Sequence, residues 1–170
     1  ISETPEYGRE RSFEMIALIE NDAGYQSLCA LLTKGIFDGL HYKPRVDLSM
    51  LQEHHEGLIV LTGGLKGLVG RAIDRGDVEA MNGQLAALKE IFGTQHLFLE
   101  LSDLGVGGED EINEVTRHAA TQHGLSLVVT NAAHYLEPYD AATHEVMHCI
   151  HSASSLKDTS RRVSPTDPVS

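Results

Sequence analysis

The sequence predicts an α/β fold with parallel strands, and three observations carry that expectation. From Leu58 onward, short apolar runs alternate with segments whose apolar residues recur at helical spacing. The run Leu58–Leu61 (LIVL) is continuous and partly β-branched, as in a strand covered on both faces. Glycines then close the helical segments, at Gly76 and Gly93 above all.

Taken in order, the first dozen residues contain Pro5, Gly8 and many charges and predict a loop or extended entry. Phe13, Ile16, Ala17 and Ile19 fit a helix over Arg11–Glu20, broken at Gly24. A helix resumes over Tyr25–Lys34 on Leu28, Leu31 and Leu32, and Gly35 stops it. After a Gly39–Pro44 loop, Asp47 caps a short helix through His54 that ends at Gly57. The strand Leu58–Leu61 leads through Thr62-Gly63-Gly64 into a short helix ending at Arg75. Val78, Met81, Leu85, Leu88 and Phe92 form an apolar stripe at period 3.6, so the next helix ends at Gly93. A strand over His96–Leu101, a flexible Gly105–Gly108 loop and a helix over Glu109–His123 follow. The last elements are a strand at Leu127–Thr130 and a helix at Ala141–Ser152. From Lys157 a polar tail with two prolines reads as a linker, 157–170. Only three convincing strands emerge, too few for a closed barrel.

Composition narrows the function. Thirteen basic against twenty-five acidic residues give a net charge of −12. Gripping a phosphate backbone requires Lys and Arg to displace counterions, so strong nucleic-acid binding by this chain alone is not expected. No apolar run approaches the ~20 residues of a membrane span, and no secretory signal is visible. Cys29 and Cys149 both lie in apolar helical patterns and form no CxxC pair, so buried, reduced thiols are expected.

Three places could carry chemistry. Thr62–Gly70 (TGGLKGLVG) is a glycine-rich strand-to-helix loop, but it matches neither GxGxxG nor GxxxxGK[ST], and Lys66 lacks the following Ser or Thr. A tight turn accounts for it better than a nucleotide site. His144, His148 and His151 share one face of the last helix, and His144–His148 spells HExxH, with Glu145 as a candidate general base. His151 reaches poorly to a shared tetrahedral ion, so a solvent-facing histidine stripe is the simpler expectation. The third place is the set of strand ends: Thr62–Gly64, Glu100 and Thr130–His134 would converge on one rim, where α/β barrels build their sites.

The rim segments also carry a resemblance. ENDAGYQSLCALLTKG (Glu20–Gly35), KPRVDLSMLQEHHEGLIVLTGGLKG (Lys43–Gly67), FGTQHLFLEL (Phe92–Leu101) and VVTNAAHYL (Val128–Leu136) occur in this order, and SSLKDTSR (Ser154–Arg161) closes the series. They resemble successive blocks of the PHP domain of bacterial DNA polymerase III alpha subunits. That family folds as a distorted parallel (β/α)7 barrel, of which residues 1–156 would be an incomplete, C-terminal portion. An HxH block of ligands would precede Ile1.

Metal-binding members of the family hold a cluster of ions with histidines, acids and a cysteine and hydrolyse phosphoesters, including DNA 3′ ends. Matched residue by residue, the family's histidine falls on Glu14, its cysteine on Gly64 and its aspartate on Ala132; only the histidine at His134 remains. The resemblance is therefore to the branch whose PHP domain has lost its metals. It implies a cytoplasmic scaffold without catalytic residues or a cofactor of its own, with His134 as a residual metal position. Its partners would be the rest of the alpha subunit, the proofreading exonuclease, and DNA reached through the parent polymerase, which uses magnesium. A metal-dependent phosphoesterase and a free-standing zinc protein are the alternatives.

Overall fold

The structure, a computed structural model, describes residues 12–40, 43–105, 107–131 and 133–158. Four strands form one sheet in the order β1 (Ile16–Ile19), β2 (Leu58–Leu61), β3 (Leu97–Ser102), β4 (Ser126–Thr130). The last three run parallel, while β1 is antiparallel to β2 with Ile16 opposite Leu61 and Ile19 opposite Leu58. Six helices accompany them among the described residues: α1 (Asp22–Phe37), α2 (Leu48–Glu53), α3 (Leu68–Arg75), α4 (Val78–Phe92), α5 (Glu109–His123) and α6 (Ala141–Ser152). The α/β class thus holds, with a mixed rather than wholly parallel sheet.

The predicted helix over Arg11–Glu20 is corrected: Ile16–Ile19 is a strand, and Arg11 lies outside the described residues. The run Met15–Ile19 satisfies a helical and an extended pattern equally, and pairing with β2 decides between them. Asn21 then caps α1, its side-chain oxygen accepting from the Gly24 N–H at 3.1 Å. Gly24 therefore sits in the first turn of α1 instead of breaking a helix. A Cβ there would lie 1.9 Å from the Gly57 carbonyl oxygen, so glycine permits a close backbone crossing. Gly35 likewise lies inside α1, packed toward Arg45.

One face of the sheet builds the core. Leu58, Val60, Leu97 and Leu99 are buried there with Leu68, Met81, Leu85, Leu88 and Ala119 from the covering helices. At ~25 cal/mol per Å², this apolar burial is the main term holding the fold. Cys149 is buried as expected, but Cys29 is exposed. The inward positions of α1 are Gly24, Leu31 and Gly35, and Cys29 stands to one side of that row. Two polar ties add direction to the packing. The Asn113 side chain of α5 bonds both backbone groups of Ser102, at 3.3 and 2.7 Å. Buried Glu109 accepts from the Leu104 and Gly105 N–H groups at 2.8 and 3.0 Å.

Asp47 caps α2 as expected, accepting from the Met50 N–H at 2.9 Å and the Ser49 hydroxyl at 2.7 Å. Partial burial works against its charge, yet these hydrogen bonds and nearby Lys34 hold its carboxyl below the ordinary value. Asp47→Ala is expected to lower stability by about 1 kcal/mol at neutral pH. A depressed folded-state value means this contribution exists above the unfolded carboxylate pKa, near 4, and fades as pH falls through the folded value. Urea denaturation of both proteins at neutral and acidic pH checks it: the gap between midpoints should shrink in acid.

Candidate functional site

The C-terminal ends of β2, β3 and β4 meet at one rim, and a single carboxylate joins them. Glu100 lies within β3, with Leu99 and Leu101 on either side, yet only 7% of it is exposed. One carboxylate oxygen accepts from the Gly63 N–H at 2.9 Å, and the other accepts from the Thr130 hydroxyl at the end of β4. The Glu100 N–H in turn donates to the buried Thr62 hydroxyl at 3.2 Å. A buried charge needs such donors, because without them its desolvation outweighs any gain. Glu100 is thus bound to the segments that follow β2 and end β4.

Gly63 and Gly64 adopt positive φ, 83° and 53°, at this junction. A Cβ on Gly64 would meet only the Glu100 carboxyl, at 3.9 Å, so position 64 faces the clamp. A Cβ on Gly63 would collide with the Glu14 carbonyl oxygen at 2.1 Å, and the Glu14 N–H donates to the Lys66 carbonyl at 3.0 Å. The Glu14 backbone therefore packs against the Gly63–Lys66 turn, while its side chain is exposed.

The rest of Thr62–Gly70 is a tight turn. Several of its N–H groups bond inside the protein: Gly63 to Glu100, Gly67 to Gly64, Leu68 to Thr62. Cβ atoms on Gly67 and Gly70 would strike the loop's own backbone at 1.8 and 2.1 Å.

The histidines form a separate group. The exposed His134 stacks on His144, with ring centroids 5.1 Å apart and planes 19° from parallel. Tyr135 lies against the same ring at 5.7 Å, and His148 meets it edge-on at 6.4 Å. His144 and His148 are half-buried under this loop, so the solvent-facing stripe is corrected; His151 alone is exposed. Ligands of one ion aim ring nitrogens at a common point, whereas the His134–His144 pair meets face to face. Among the described residues no three His, Cys, Asp or Glu side chains are placed to share a metal ion. Ala132 and the tail beyond 158 lie outside the described residues.

Sequence reasoning named Glu100 as a rim residue but missed its part as a tie. The available signal was an acid flanked by leucines inside an apolar strand. Glu100→Ala removes the acceptor for Gly63 and Thr130 and should lower stability by about 3 kcal/mol, with Glu100→Gln nearer to wild type. Guanidinium denaturation of the two variants measures the difference.

The chain also matches known proteins in sequence. A sequence model of the PHP domain matches residues 3–104. The DNA polymerase III subunit alpha of Deinococcus radiodurans is 33% identical over 160 residues, which is 94% of this chain and 12% of that protein. The same subunits from Treponema pallidum and Thermus aquaticus are 32% and 33% identical over 92% and 91% of the chain. The chain spans 12–13% of the length of these relatives. These matches lead to one statement: the chain belongs to the PHP domain family, in the form found within DNA polymerase III alpha subunits.

Proposed function

We propose that the chain is a non-hydrolytic scaffold within a replicative DNA polymerase alpha subunit, stabilising the polymerase and docking its proofreading exonuclease. The observation that carries this reading is Gly64. Where the metal-binding members of the family place a cysteine, this rim has no donor atom, and the nearest carboxylate, Glu100, is engaged by Gly63 and Thr130. Ala132 likewise offers no donor, Glu14 is a poor replacement for an imidazole in a multi-metal site, and His134 is stacked on His144. This donor set does not fit the family's metal cluster, so no hydrolytic step is derived from it.

The acidic balance of −12 supports the same role, since the chain is poorly suited to holding DNA by itself. Nucleotide addition, with magnesium, would belong to a palm domain elsewhere in the alpha subunit, and DNA would be met there.

The purified protein, incubated with zinc and manganese and then desalted, should retain no stoichiometric metal by elemental analysis and release no nucleotides from DNA 3′ ends. It should also co-elute with the exonuclease subunit in gel filtration. Stoichiometric metal, with nuclease activity lost in His134→Ala, would overturn the scaffold in favour of a metal-dependent phosphoesterase.

A further inference from the structure

At the opposite end of the sheet from Glu100 lies a cleft of about 330 Å³, between the turn entering β2 and the end of α4. His55, Glu56, Gly57 and Leu58 form one wall, and Ile91, Phe92, Gly93 and His96 form the other. Its apolar lining comes from Leu58 and Phe92, 1% and 5% exposed, with Ile91 half-buried beside them. His55 is fixed in place, edge-on to Phe92 at 6.1 Å and bonded through Nδ1 to the Gln52 carbonyl at 2.9 Å.

Three features give the cleft a negative character. Glu56, an exposed acid, is one of its lining residues. Glu20 reaches the other wall, its carboxylate 3.5 Å from His96 Nε2. The fifteen-residue helix α4 ends there, and a helix C-terminus carries partial negative charge. Among the described residues no Lys or Arg lines the cleft. A volume of this size with an apolar floor and an acidic mouth suits one long side chain with an aliphatic stem and a cationic head.

We propose that this cleft is a docking site for a protein segment that inserts an arginine or lysine side chain. The stem lies on Leu58, Ile91 and Phe92, and the head reaches Glu56 and the end of α4. The site is independent of the metal question at the rim and of the partner assigned above.

An NMR titration with the capped peptide Gly-Ser-Arg-Ser-Gly tests it. Saturable shifts are expected at the amides of Gly57, Leu58, Gly93 and His96, and replacing the arginine by norleucine should weaken binding about tenfold or more. Glu56→Gln should weaken it up to about fivefold, whereas Asp110→Asn, which removes an equal charge from an exposed site on α5, should leave it unchanged. Shifts that never saturate, equal binding of the norleucine peptide, or equal effects of the two substitutions would overturn the proposal.

Discussion

A carboxylate withdrawn from water must find donors in the protein, and Glu100 finds them on two neighbouring segments of the sheet. Much of the rim follows from that requirement. Gly63 must turn its N–H toward the carboxylate, which fixes the left-handed backbone after β2 and the approach of Glu14. Thr130 must end β4 with its hydroxyl inward, and Thr62 must hold the backbone of Glu100 itself. The parallel register, with Ser102 opposite Thr130, places Thr130 on the same side of the sheet as Glu100. Apolar packing on the other face supplies most of the stability; the carboxylate supplies the geometry.

The same ties fix the shape of the rim. A metal cluster ties surrounding loops together through its ligands. Here Gly63, Thr62 and Thr130 are tied through Glu100 by hydrogen bonds. Gly64 beside it needs no side chain for the arrangement to hold.

Elements whose signals are local could be read from the sequence. The helices Val78–Phe92 and Glu109–His123 begin and end where glycines, caps and apolar stripes say they should, and Ala141–Ser152 was read with the same bounds. The strand Leu58–Leu61 was equally plain. What escaped depends on distant partners. β1 is a strand only because β2 lies beside it, and Gly24 looked like a breaker because the crossing at Gly57 is remote in sequence. The histidine group was half legible: helical spacing brings His144 and His148 together, but the stacking of His134 requires the loop after β4 to return over α6. Glu100 could be placed at the rim, though not its bonds, since an acid in a strand does not reveal which donors will meet it.

Function lay partly beyond the residues' own chemistry. Charge balance argued against holding DNA, and ordered blocks from Glu20 to Arg161 pointed to the family, which the matches then established. The central claim is that the rim is held by Glu100 and not by metal. Amide hydrogen exchange at Gly63 and Glu100 tests it most directly, compared in chelator and in excess zinc. Slow exchange that is the same in both conditions is the predicted result; protection that appears only with metal would contradict it.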